Sequence, residues 1–308
     1  MPAERFPEAH AFLSQDERLS AEEWLDLLDA FVQLGVAKLR LTGGEPLLVK
    51  GLADLVGRIR ERWPALELAL TTNGQLLASR ALALKRAGLN RVTVSLDALD
   101  PAVFRKLSGG RGDVDAVLTG IIAARNAGFG PPKINCVVVR GDNDRQIMPL
   151  VEHFRGSGSV LRFIEFMDVG TLNAWRPEAV VPAEEIRARI QQQHPLLPLP
   201  RQVASDVAER WQLADGSLEI GLISSVSQPF CGDCSRARLS ADGQLFTCLF
   251  AERGHDLRTV LRRDGVAGAR QRIAELWGLR DDRYSELRAS GADASGASTR
   301  QEMYHLGG

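Results

Sequence analysis

The chain has 308 residues, 44% hydrophobic and 25% charged, enough to bury a sizeable core without disulfides. A formal net charge of −1 excludes a nucleic-acid or membrane partner held by bulk electrostatics, so an anionic ligand must meet locally clustered cations. No apolar run has the length of a transmembrane helix, and the first ten residues lack the apolar core of a secretory signal. The expected setting is cytoplasmic, where the four cysteines point to metal ligation or burial rather than a disulfide.

The first half alternates helix and strand patterns. Ser20-Ala21-Glu22-Glu23 reads as a capping box, followed at helical spacing by Trp24, Leu27, Leu28, Phe31 and Leu34, with Gly35 as a C-cap. A strand over 37–41 ends in Thr42-Gly43-Gly44-Glu45-Pro46. Helix 52–62, strand 66–71, helix 78–87 and strand 91–96 follow, then helix 114–127, strand 133–139, helix 144–154 and strand 160–166. Repeated strand–helix units with short connections predict parallel strands with right-handed crossovers, and polar and glycine residues recur at the strands' C-terminal ends, the rim where barrel sites are built.

After Pro182 the pattern changes. Helix 183–192 runs into His194-Pro195-Leu196-Leu197-Pro198-Leu199-Pro200, which reads as a linker. Two hairpins are predicted beyond it, around Asp215-Gly216 and Asp242-Gly243. Helical sequence resumes near Leu257 and again over 269–277, and the Gly/Ala/Ser-rich stretch 289–298 reads as a loop.

Cys231-Gly232-Asp233-Cys234 is followed after thirteen residues by Cys248. Three thiolates at that spacing fit a [4Fe–4S] cluster with one open iron. They fit as well a zinc site completed by His255, with three buried, unligated cysteines as the bland alternative. Cys136 lies inside an apolar strand and reads as inert core. Arg236 and Arg238 alternate on a strand after Cys234, and Lys38 and Arg40 alternate before Gly43. Arg40, Lys133 and Arg162 sit on expected parallel strands, where solvated charge is unusual. Converging Arg and Lys suit a polyanion such as a triphosphate.

Leu39 to Pro46 resembles the GGEP segment of radical S-adenosylmethionine (SAM) enzymes. Thr71-Thr72-Asn73-Gly74, Val94 to Leu99, Lys133-Ile134-Asn135, Arg140 to Asp144 and Arg162 to Gly170 are similar to the following strand ends in the GTP 3′,8-cyclases of molybdenum cofactor biosynthesis. The cysteine spacing, Arg236-Ala237-Arg238 and the terminal Gly307-Gly308 are also like that family. The resemblance implies an α/β fold, an incomplete (β/α)6 TIM-type barrel lacking its first strand over 1–194, with an α+β cluster-binding domain over 195–308. It implies SAM contacts from Gly43, Gly44, Glu45, Ser95 and Met167. It implies GTP contacts from Arg40, Thr71, Lys133, Arg162, Arg236, Ala237 and Arg238. Cys231, Cys234 and Cys248 would hold a [4Fe–4S] cluster, and Gly307-Gly308 would reach the reaction centre.

In the implied reaction a 5′-deoxyadenosyl radical, released from SAM on electron transfer from an N-terminal [4Fe–4S] cluster, removes the C3′ hydrogen of GTP. C3′ then joins C8, giving (8S)-3′,8-cyclo-7,8-dihydroguanosine 5′-triphosphate. The implied partners are GTP, an electron donor, a downstream cyclic pyranopterin monophosphate synthase and a second copy in a homodimer. The family's N-terminal cluster is held by C-x3-C-x2-C followed by Met-Pro. Here Met1-Pro2 opens the sequence and Cys136 is its first cysteine. The expectation is a start placed at an internal methionine, with a short, catalytically inactive GTP- and cluster-binding paralogue as the rival reading.

Overall fold

Period-two alternation of Val, Leu, Ile and Thr builds eight strands into one sheet. The computed structural model describes residues 13–14, 16–170, 175–201, 206–229, 231, 234–282 and 284. Strands β1 (Lys38–Leu41), β2 (Glu67–Thr72), β3 (Arg91–Ser95), β4 (Lys133–Val138) and β5 (Val160–Glu165) run parallel. Beyond β5 come β6 (Leu196–Leu199), β7 (Glu209–Leu213) and β8 (Glu219–Ile223), in the sheet order β1-β2-β3-β4-β5-β8-β7-β6. Strand β8 is parallel to β5, whereas β7 and β6 are antiparallel additions. The fold is therefore α/β on a mostly parallel sheet, and that sheet continues across the expected boundary at 194/195.

Helices α1 (Ala21–Gln33), α2 (Leu52–Arg62), α3 (Leu77–Arg86), α4 (Pro101–Leu107), α5 (Val114–Asn126), α6 (Ile147–Phe154) and α7 (Ala183–Gln191) connect the strands. The capping box forms as expected: Ser20 Oγ accepts from the Glu23 N–H while the Glu23 carboxylate accepts from the Ser20 N–H. Helix α4 escaped the sequence reading; Asp100 caps it by accepting from the Ala102 and Val103 N–H groups, with Pro101 in its first turn. The main core joins one face of the sheet, with Leu68, Leu70, Val92, Val94, Ile134, Cys136, Leu161, Phe163, Ile220 and Leu222, to the helices.

The proline-rich stretch is a correction: it is strand β6, not a linker. It lies at the sheet's edge, where a proline without an N–H is tolerated because the outer side asks for no ladder bond. Both Asp-Gly hairpins form, joining β7 to β8 and β9 (Arg238–Leu239) to β10 (Gln244–Phe246). Strand β11 (His255–Asp256) completes a second sheet, and α8 (Leu257–Gly278) unites the two expected helical segments through a kink at Gly265. A second core, Leu19, Leu27 and Ala30 with Leu245, Leu257, Leu261, Ala269 and Ile273, fastens α8 to α1. Arg262 and Glu23 pair across that contact at 2.6 Å. Among the described residues no helix is long and apolar enough to cross a membrane.

Candidate active site

A strand's side chains alternate between faces, so the sheet face away from the helices is decided by the same residues that build the core. It carries Lys38 and Arg40 on β1, Glu67, Ala69 and Thr71 on β2, and Arg91, Thr93 and Ser95 on β3. Lys133 and Asn135 follow on β4, Arg162 and Ile164 on β5, and Glu219 and Gly221 on β8. This inner face is thus polar, and burial together with the neighbouring positive charges lowers the pKa values of Lys38, Arg40, Lys133 and Arg162. Arg40 Nη1 donates to Thr71 Oγ1 at 2.8 Å and to Thr93 Oγ1 at 3.3 Å, which fixes its guanidinium on this face. Arg40 stays open to solvent, yet the protein around it and the charge of Arg91 lower its pKa. Burial, then Arg162, Arg91, Lys38 and Arg40, push Lys133 down to about 8, and burial with Arg40 and Arg91 takes Arg162 down to about 10.

Gly221 explains how Arg162 fits. A Cβ there would meet Arg162 Cγ at 3.0 Å, so a bare backbone on β8 leaves room for the arginine's stem. Arg91, Thr93, Glu67 and Gly221 were not singled out from the sequence. The signal was present for Arg91, which shares a face with Ser95 by period two.

At the C-terminal end of β1 the chain turns through Gly43, at φ 129°, a conformation that suits glycine. A Cβ at Gly43 or at Gly44 would meet nothing within 4 Å, so this lip is open. Glu45 is held beside it: its carboxylate accepts from the Leu47 N–H, from Thr72 Oγ1 at 2.7 Å and from the Asn73 N–H at 2.8 Å. Glu45 thereby ties the glycine turn to the end of β2. Ser95 is exposed at the end of β3, and Met167 lies half-buried just after β5.

Two further groups shape this rim. Glu165, fully buried at the end of β5, accepts from Ala183 N and Ser227 Oγ through Oε1 and from Val226 N and Ser227 N through Oε2. It binds the start of α7 and the segment leading to Cys231 onto β5. Asp97 Oδ1 accepts from the Val137 N–H at 2.8 Å, and Asn143 clamps the same corner by donating to the Asp97 and Val137 carbonyls. Burial pushes Asp97 up to about 6 from 3.8, partly offset by the Val137 N–H. An acid with a raised folded pKa binds more protons folded than unfolded in this window. Stability is therefore expected to fall as pH rises from about 4 to about 6, by up to roughly 3 kcal/mol. Asp97→Asn should flatten that slope in urea titrations at pH 4.5 and 7; an unchanged slope would assign it to other groups.

The cysteines lie beyond β8. Cys231, Cys234 and Cys248 are each half-buried. Burial raises the Cys234 thiol, but the Arg236 N–H, the Arg236 charge and Arg280 outweigh it and bring it down to about 7. Burial pushes Cys248 up, against a bond from the Phe250 N–H, and the nearby Asp282 and Cys231 raise it further. Arg238 is pushed down to about 10 by burial and Arg236 and feels both Cys234 and Cys248. Among the described residues no group of three His, Cys, Asp or Glu side chains converges at metal-binding distance, and His255 is exposed on β11. The donor chemistry, three neighbouring thiols with one near its ionisation point, fits an iron–sulfur cluster. Ala237 is exposed between the two arginines. Tyr284 donates to Asp168 Oδ2 at 2.7 Å and stacks on Phe250 at 4.4 Å, so it links the end of β5 to the Cys248 loop. Gly307, Gly308 and the stretch 289–298 lie outside the described residues.

The described residues thus combine a mostly parallel α/β sheet whose helix-free face carries five cations, a glycine turn at the end of β1 and three half-buried cysteines beyond β8. The radical SAM superfamily model matches residues 6–154, and the molybdenum cofactor synthesis C model matches residues 159–286. A GTP 3′,8-cyclase of Xanthomonas campestris pv. campestris is 55% identical over 308 residues, covering 100% of this chain and 89% of that protein. GTP 3′,8-cyclases of Acidothermus cellulolyticus and Aquifex aeolicus are 49% and 41% identical; each match covers 96% of this chain, with 83% and 89% of the relatives respectively. Methylornithine synthase is similar in structure at a TM-score of 0.48 and 17% identity, covering 88% of this chain and 76% of that one. The chain belongs to the GTP 3′,8-cyclase family of the radical SAM superfamily.

Proposed function

We propose that this protein acts in molybdenum cofactor biosynthesis by converting GTP to (8S)-3′,8-cyclo-7,8-dihydroguanosine 5′-triphosphate. The observation that carries the reading is the lumen, where Lys38, Arg40, Arg91, Lys133 and Arg162 face one another. Such a field is relieved by a polyphosphate, which the depressed cations Lys38, Arg40, Lys133 and Arg162 bind best in their protonated forms. Arg40, held by Thr71, takes the phosphates with Lys133 and Arg162, and Arg236, Ala237 and Arg238 grip the nucleotide at the cluster side. Gly43, Gly44, Ser95 and Met167 form the SAM end of the cleft, with Glu45 holding the glycine turn in place. Bound SAM supplies the radical chemistry at the ribose C3′; this chain's residues hold the reactants in line. Cys231, Cys234 and Cys248 would hold a [4Fe–4S] cluster, which when bound offers the guanine an open iron position.

In this reading the sheet of residues 1–194 belongs to an incomplete (β/α)6 barrel, and 195–308 supply the cluster- and GTP-binding part, with Gly307-Gly308 reaching the reaction centre. An external donor supplies electrons, a cyclic pyranopterin monophosphate synthase consumes the product, and the assembly is a homodimer.

Arg236→Ala and Arg238→Ala are each expected to weaken GTP binding roughly 10–150-fold, the loss of one charge-assisted contact of about 1.5–3 kcal/mol. Calorimetry checks this, and equal affinity in wild type and double variant would show that both are surface charges. Anaerobic reconstitution should load iron and sulfide, and Cys248→Ser should lose them. Stoichiometric zinc without iron would overturn the cluster assignment.

A further inference from the structure

Arg280 is a largely buried cation that has been given no role in binding either reactant. It follows the C-cap of α8, and its side chain is only 11% exposed. Its Nε donates to Asp282 Oδ2 at 3.2 Å, and its guanidinium lies over the Trp277 ring, 4.7 Å from the centroid. From that seat Nη1 reaches a distant part of the chain and donates to the Cys234 carbonyl, 46 positions earlier. The Cys234 N–H in turn donates to the Cys231 carbonyl at 3.2 Å, so Arg280 holds the turn that carries both cysteines. Tyr284 holds the other loop, stacking on Phe250, whose N–H donates to Cys248 Sγ at 3.4 Å. The short segment after α8 therefore touches both loops that bear the cysteines. Burying a guanidinium costs stability unless its charge meets an opposite one. Arg238 lies near Arg280 on this side, so the position favours an anion.

We propose that Arg280 is a positioning residue for the cluster: it seats the Cys231–Cys234 turn and fixes a positive charge beside it, which makes a bound cluster easier to reduce. This rests on the cluster reading above and deepens it by assigning control of the cluster's reduction potential. An iron–sulfur cluster on three thiolates is an anion, and reduction by one electron adds to its negative charge. A fixed cation nearby favours the reduced form, and more so where water is excluded. The planar fork of arginine lets Nε stay on Asp282 while Nη1 bonds the carbonyl, which a lysine's single ammonium does not reproduce. Trp277 supports the flat face of the guanidinium. Because Arg280 bonds backbone and a neighbouring carboxylate, its charge stays in place whether or not a nucleotide is bound.

The test is a potentiometric titration of the 308-residue chain, reconstituted anaerobically with iron and sulfide. Dithionite supplies the electron, and electron paramagnetic resonance reads the reduced cluster. Arg280→Gln is expected to shift the one-electron equilibrium about tenfold towards the oxidised form, a potential lower by about 59 mV. Arg280→Lys, which keeps the charge and loses the fork, is expected to stay within about threefold of the unaltered chain. Arg272→Gln removes a charge that is 44% exposed on α8. It is expected to shift the equilibrium less than about twofold, since water and salt screen it. An unchanged potential in Arg280→Gln, or an equal shift in Arg280→Lys, would remove the fixed charge as the cause. A shift of the same size in Arg272→Gln would assign the effect to net charge instead. Melting curves and iron content separate a folding defect from this role, because a merely structural arginine would lower loading while the clusters that form keep their potential. Failure of the unaltered chain to take up iron and sulfide would overturn the cluster reading, and this inference with it.

Discussion

Glu165→Ala is expected to lower folding stability by about 3–5 kcal/mol, the cost of removing one member of a buried charged network. The carboxylate is 0% exposed and accepts from three backbone N–H groups and one hydroxyl. Truncation leaves the Ala183, Val226 and Ser227 amides without their acceptor, and each buried unsatisfied donor costs about 1–3 kcal/mol before relaxation and water entry. Glu165→Gln fares little better, since its NH2 would face amides that also donate. The effect reaches the site because Val226 and Ser227 lead directly to Cys231. Urea denaturation should show the lost stability, and iron retention after anaerobic reconstitution should fall with it. A midpoint shift worth less than about 1 kcal/mol would mean that water replaces the carboxylate in this corner.

The second large effect is on iron. Replacing Cys231, Cys234 and Cys248 together by Ser is expected to remove the iron and sulfide taken up on anaerobic reconstitution, whereas Cys136→Ser leaves them unchanged. Cys136 is 1% exposed on the helix side of β4, and burial and Asp97 push its thiol well above its ordinary range. It is an unpromising ligand facing away from the lumen. Cys231, Cys234 and Cys248 group at the far side, next to Arg236 and Arg238. Metal and sulfide analysis of the two variants checks this, and loss of iron with Cys136→Ser would place that thiol among the ligands.

Much of the strand–helix order was legible because amphipathic periodicity and caps are local. Ser20 with Glu23, and the Asp-Gly turns at 215–216 and 242–243, carry their geometry in three or four residues. Helix α4 was missed because its seven residues are too few to display a period, although Asp100-Pro101 is an N-terminal signature. The proline stretch was misread because proline marks linkers and edge strands alike, and only pairing with β7 distinguishes them.

For the site, residue types and strand assignment were enough to single out Arg40, Lys133 and Arg162, which the structure places on one face of the sheet, because charges on parallel strands have few other uses. The partners of those charges came only from the folded chain. That Thr71 and Thr93 fix Arg40, that Gly221 clears space for Arg162, and that Glu67 bridges Arg91 and Lys38 each depend on register between strands whose paired residues lie 24 to 59 positions apart. Glu165 is the sharpest case. A glutamate at the C-terminal end of a parallel strand suggests solvent or ligand, yet packing of α7 and the Val226–Ser227 turn over it makes it a buried structural acceptor. Periodicity assigns a side chain to a face; what covers that face is set by segments distant in sequence, and only their packing decides whether a charge meets water, a ligand or an amide.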